Sequence, residues 1–171
     1  VTVAVEALMN TVWILVCDSS KSRLFETQDG APAWVLLDEA SHEESRSRAS
    51  DLVSDHSGSR TSDASVHQNA LAPASSPKEV EQNNFARALV KRLDHSMRTK
   101  RFRKWVLVAP PHFVGIIKKE LTSELDKHLM TTLDKNLTDL DARALAERLR
   151  DAVRIPVNER EVIRPSDKYA R

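Results

Sequence analysis

Seven cations crowd one short stretch of this chain. Lys91, Arg92, Arg98, Lys100, Arg101, Arg103 and Lys104 lie between residues 91 and 104, with His95 among them and Asp94 as the single acid. Cations so placed can neutralise phosphates, a contact that ignores base sequence and weakens with salt. Basic residues also gather at helix C-termini, where they complement the helix dipole. The number here exceeds what capping needs, so RNA or another phosphate-bearing partner is the expected use.

Other reactive residue types are present but poorly arranged. Asp18 and Asp38 are expected at strand ends, with Glu39 beside the second. Paired carboxylates there can hold divalent metals for phosphodiester cleavage, and acids at strand ends also simply favour turns. Asp18 and Asp38 are therefore the only metal candidates, and the preferred reading is no metal and no cofactor. His42, His56 and His67, with Asp55 and Asp63 nearby, match no standard metal spacing. Cys17 lies inside an apolar run, where a free cysteine behaves as a small hydrophobe. No Gly-x-Ser-x-Gly elbow occurs. Pro110-Pro111-His112 follows an apolar run, a place where α/β sheets form ligand crevices, but a rigid turn is the simpler reading. No catalytic residue is assigned, and a non-enzymatic role is expected.

These residues need elements to position them. Thr11 to Asp18, Ser22 to Thr27 and Ala33 to Glu39 read as strands, with a turn at Gln28-Asp29-Gly30. They form an antiparallel meander. Large apolar residues almost vanish from Ser41 to Ser76, so residues 41–76 are expected to be a long exposed loop. Ser76-Pro77-Lys78-Glu79 is a capping box with proline at the first helical position. Phe85, Leu89, Leu93 and Met97 then recur at helical spacing. Lys104 to Ala109 is a near-continuous apolar strand, as for a strand covered on both faces. Phe113, Ile116, Ile117 and Leu121 mark a helix, Leu125 to Leu133 contains a strand, and Thr138 to Asp141 resembles a second cap. Leu145, Leu149 and Val153 form the buried stripe of the last helix. The expected fold class is α/β, a mixed β-sheet with an N-terminal antiparallel meander and helices packed on it. Residues 1–10 are read as an extension, 11–153 as one domain and 154–171 as a tail.

Composition agrees with a globular chain. The 171 residues are 40% hydrophobic and 30% charged, and 26 Lys+Arg nearly cancel 25 Asp+Glu. No global field favours nucleic acid, so any such contact must be local. One cysteine cannot make an internal disulfide. The run Val1 to Leu8 lacks the basic leader and cleavage site of a signal peptide, and no window is long enough to span a bilayer. A cytoplasmic protein, or one of an organellar matrix, without membrane insertion is expected.

Several blocks resemble the bacterial host-attachment protein family. They are Trp13 to Asp18 with Ser22 to Glu26, Ser54-Asp55 to Arg60, Pro77-Lys78-Glu79 with Phe85-Ala86, Phe102 to Gly115, and Asp134 to Thr138, covering about Val12 to Leu149. The resemblance implies a role in attachment to host cells. It also implies a fold similar to the middle domain of eukaryotic and archaeal peptide-release factors. Those factors use a Gly-Gly-Gln loop, but this chain has only Gly30, Gly58 and Gly115. Val66 to Leu71 also departs from the family's Arg-His-Ala-Met-like stretch. The expectation is a non-catalytic interaction module that binds RNA, the ribosome or a larger protein assembly. The basic cluster, the 41–76 loop and the tail would make the contacts. The alternatives are an accessory subunit of a stable complex, an indirect role in attachment, and a metal-dependent nuclease using Asp18.

Overall fold

The computed structural model describes residues 10–29, 31–41 and 76–154. The expected N-terminal extension, long loop and tail lie outside these residues, apart from their ends at Asn10, Ser41, Ser76 and Arg154. Five strands form one mixed sheet: β1 (Thr11–Cys17), β2 (Lys21–Gln28), β3 (Val35–Ser41), β4 (Lys104–Ala109) and β5 (Leu129–Asp134). Their spatial order is β3-β2-β1-β4-β5. β1, β2 and β3 pair antiparallel, whereas β1–β4 and β4–β5 are parallel. The fold is α/β with a mixed sheet, as the patterning implied.

β1 and β4 are the centre of the sheet, and Trp13 faces Trp105 in their register. Alternate residues point to opposite faces, so a strand covered on both sides must be apolar throughout. Trp13, Leu15 and Cys17 join Trp105, Leu107 and Ala109 on one face. Val12, Ile14 and Val16 join Val106 and Val108 on the other. The first face is covered by α1 (Pro77–Arg98), α2 (Pro111–Glu120) and α3 (Ser123–Lys127), through Phe85, Leu89, Leu93, Phe113, Ile117 and Leu125. The second is covered by α4 (Ala142–Arg148) and the turns after it, through Leu145, Leu149 and Val153. Each such aliphatic side chain contributes about 1.5–3 kcal/mol by leaving water. Trp105 is wholly buried, and its indole N–H donates to the Leu125 carbonyl at 2.9 Å. Burial of that donor is thereby made tolerable.

Several boundaries differ from the sequence reading. β3 begins at Val35 rather than Ala33. Thr27 Oγ1 bonds the carbonyls of Ala31 and Ala33, and the Ala31 N–H donates to Gln28, so the turn extends further. Trp34 lies before the strand and packs on Phe25 at 5.8 Å. The expected cap at Thr138 is displaced, because its hydroxyl is engaged by Asp18 and Asn136. Asp141 is the N-cap instead, accepting from the Ala144 N–H at 2.8 Å. Finally, the 125–133 segment holds the end of short helix α3 as well as β5.

β3 is an edge strand, and Val35, Leu36 and Leu37 are exposed at 58%, 45% and 36%. Its register shifts opposite Leu24 and Phe25, leaving Leu37 as the extra residue.

The capping box at α1 forms as predicted. Ser76 Oγ accepts from the Glu79 N–H at 3.2 Å, and Glu79 accepts from the Ser76 N–H at 2.9 Å. Ser76→Ala should therefore cost about 1 kcal/mol. Urea unfolding should show a lower midpoint with an unchanged slope; an unchanged midpoint would mean that the box adds nothing to stability.

Candidate nucleic-acid interface

α1 presents the basic cluster because its other side is taken by the core. Phe85, Ala86, Leu89, Val90 and Leu93 are buried, so Lys91, Arg92, His95 and Arg98 are left on the solvent face. The helix then stops abruptly. The Lys100 N–H donates to the Met97 carbonyl at 2.8 Å and the Arg101 N–H to that of Ser96 at 2.9 Å. This pair of bonds is a Schellman close, which needs a left-handed residue. Lys100 supplies it at φ 54°, the one non-glycine residue with positive φ among those described. Glycine usually fills such a position because a Cβ is strained there. Phe102 then plugs into the core against Trp13 at 4.7 Å, and the Arg103 N–H donates to the Thr11 carbonyl at 3.0 Å as β4 begins.

Ion pairing divides the seven cations. Arg92 is paired with Asp38 on β3. Arg98 Nε meets Asp94 at 2.6 Å one helical turn away, and Asp94 also accepts from the Thr122 hydroxyl at 2.9 Å. The Arg98 hydrogen bond holds the Asp94 carboxyl below its ordinary value, and Asp94 in turn raises the Arg98 guanidinium. The Arg101 guanidinium sits over the Trp13 ring at 5.9 Å. Arg103 and Lys104 are half-buried, and the Arg103 carbonyl accepts from His128 Nδ1 at 2.7 Å. Lys91, Lys100 and Arg101 are exposed and have no carboxylate partner among the described residues. These three are the cations best free to meet an anion. Lys127 of α3 extends the basic end but is paired with Glu124 at 2.7 Å.

Sequence reading found the cluster but not this division. Arg92 and Asp38 are 54 residues apart, a separation that no local pattern marks. The Asp94–Arg98 pair is different: its four-residue spacing on a helix is a local pattern that a sequence does carry.

The two metal candidates are not brought together. Asp38 on β3 is separated from β1 by β2 and faces Arg92. Asp18 follows β1 at the far end of the sheet from the basic turn. Its Oδ1 accepts from the Ser20 N–H and hydroxyl and from the Lys21 N–H, at 2.8, 2.9 and 2.8 Å. Its Oδ2 accepts from Thr138 Oγ1 at 3.0 Å, across 120 residues. Glu39 lies on the exposed part of β3. Among the described residues, no group of three or more His, Cys, Asp or Glu is placed to hold a metal ion. Cys17 is buried, and burial pushes its thiol far above the usual range. Pro110 is the N-cap and Pro111 the first residue of α2, and His112 Nε2 lies 3.3 Å from Gln82 Oε1. His42, His56, His67, Asp55 and Asp63 lie outside the described residues.

Comparison with known proteins places this geometry in context. Residues 13–149 match the family described as "Protein required for attachment to host cells". The chain is 26% identical over 101 residues to an uncharacterized protein of Rickettsia prowazekii (strain Madrid E), covering 54% of this chain and 67% of that one. Among solved structures it is similar to an archaeal translation termination factor, at TM-score 0.48 and 14% identity. It is also similar to a structure described as an archaeal protein, at TM-score 0.46 and 14% identity. Each match covers 90% of this chain but 41% of the other, so the chain spans less than half of those proteins. No helix among the described residues is long and apolar enough to cross a membrane.

Partial burial pushes the Asp18 carboxyl up, but bonds from Ser20, Lys21 and Thr138 outweigh it, and its pKa lies below the ordinary value. A lowered folded pKa gives stability that is present above the unfolded value of about 3.9 and lost as pH falls through the folded one. The urea midpoint should fall below about pH 4, and less steeply in Asp18→Asn; equal slopes would reject the knot around Asp18. Separately, Lys100→Gly should stabilise the protein by about 0.5–1 kcal/mol, read as a raised thermal midpoint. A lowered midpoint would mean that the lysine side chain outweighs its backbone strain.

Proposed function

The chain belongs to the family of proteins required for attachment to host cells, and we propose that it serves as a non-catalytic interaction module whose basic α1 end binds RNA. The observation that carries this reading is the set of three exposed cations, Lys91, Lys100 and Arg101, that have no carboxylate partner among the described residues and stand on or beside the hydrogen-bonded stop of α1. A near-neutral chain gains nothing from its net charge of +1, so on this reading the phosphate contacts are local to the basic end. The carboxylates give catalysis little support: Asp18 is occupied with turn bonds and Asp38 with Arg92. On this reading attachment to host cells is an indirect consequence of an RNA- or ribosome-associated role.

A second reading has its own observation. The exposed Val35, Leu36 and Leu37 lie on edge strand β3, where a protein neighbour can pair or pack. This favours an accessory subunit of a protein assembly.

Sedimentation from native extract at low and high salt separates the two. Association with ribosomes or RNA that fails at high salt, and is lost in a Lys91→Glu, Lys100→Glu, Arg101→Glu chain, is the expected result. Log affinity should fall with log salt at a slope of about −2 to −3 for three contacts. Salt-resistant association with one protein complex, unaffected by the substitutions, would replace the RNA reading with the subunit reading.

A further inference from the structure

A basic end can meet nucleic acid in two ways. Proteins that take single strands pair cations with exposed aromatic rings on which unstacked bases lie. Proteins that take duplexes contact the sugar–phosphate backbone and read shape, so they need no ring. The fate of the aromatic residues distinguishes the two.

The chain has eight: four Phe, three Trp and one Tyr. Tyr169 lies outside the described residues. Trp13, Phe25, Phe85, Phe102, Trp105 and Phe113 are all buried. Trp34 is half-buried, packed on Phe25 against the sheet face opposite α1. At the basic end the aromatic residues are Trp13, Phe102 and Trp105. Phe102 and Trp105 are 4% and 0% exposed, and Trp13 is 3% exposed beneath the Arg101 guanidinium. Its indole N–H is also committed, to Glu26 at 2.9 Å. The described surface around the cations therefore has no ring to offer a base.

The cations themselves stand on hydrogen-bonded helix and turn backbone. Lys91 stands on the exposed side of α1, about 10.5 Å along the helix axis before Arg98, whose guanidinium is paired with Asp94. Lys100 and Arg101 stand at the end of that helix, in a turn closed by two backbone bonds and anchored by Phe102. Lys100 occupies a left-handed position at φ 54°, where glycine would be less strained. The Schellman close accounts for that conformation, and it holds the exposed Lys100, which has no carboxylate partner among the described residues, at the tip of the turn. A pre-set helix end and turn suits a partner with a regular backbone, not a flexible strand that must be gathered.

We infer that the basic end of α1 takes double-helical RNA by its phosphate backbone, with Lys100 as a direct phosphate contact. This rests on the RNA-binding reading above and narrows it to one form of RNA.

The test uses the full chain, a 20-base-pair RNA duplex and each of its separated strands, with affinity measured from 50 to 200 mM salt. The expected result is tighter binding to the duplex than to either strand. Lys100→Gly should weaken duplex binding on the order of threefold and make the log–log salt slope shallower by about 0.9. That variant relieves backbone strain, so its thermal midpoint, measured on the same sample, separates lost contact from lost fold. A Lys91→Gln, Lys100→Gln chain is the second variant and should weaken binding further. Equal or tighter binding to single strands would overturn the duplex inference but leave RNA binding standing. Undiminished duplex binding by a folded Lys100→Gly chain would overturn the assignment of Lys100. No binding to any of the RNAs would overturn the RNA reading, and this inference with it.

Discussion

Burial of β1 and β4 on both faces is the constraint on which the structure depends. A strand covered on one side can alternate polar and apolar residues, but these two cannot. Trp13 to Cys17 and Trp105 to Ala109 are accordingly apolar without interruption. Their parallel pairing requires a crossover, because a parallel neighbour cannot be reached by a tight turn. The crossover ends in α1, which must run back along the sheet to deliver the chain to Lys104. The position of the basic turn at the start of β4, on the sheet end opposite Asp18, thus follows from strand topology.

That geometry explains how legible the chain was. β1, β4 and α1 announce themselves through continuous apolar runs, helical spacing and a capping box, because each is determined by its own residues and by full burial. Sequence alone puts the start of β3 two residues early, because that start depends on Thr27, which holds the carbonyls of Ala31 and Ala33 in a turn. Sequence alone also puts the start of the last helix early, because Thr138 looks like a cap, yet its hydroxyl is engaged by Asp18, far away in the chain. Periodicity carries no information about either contact.

The site was legible to the same degree. The sequence exposes the cluster between residues 91 and 104, and the spacing of Phe85, Leu89, Leu93 and Met97 marks the helix that carries its first part. It could not reveal that Arg92 reaches Asp38, or that Arg101 lies over Trp13, since both partners come from the N-terminal meander. A count of cations overstated the available charge. Helix C-termini themselves attract cations, and Arg98 is further tied to Asp94. What is left is a smaller set of charges on hydrogen-bonded helix and turn backbone.

Cys17 gives the central pair one more property. Its sulfur sits at the end of β1 inside the helix-covered core, fully shielded, with its thiol strongly resistant to ionisation. Thiolate is the form that reacts with alkylating and disulfide reagents. The folded chain therefore presents such reagents with almost no target, whereas an opened sheet presents one. With no second cysteine to compete, the rate of thiol labelling is an internal clock for opening of the sheet core. It records how often the middle of the molecule comes apart under conditions where almost every copy is folded.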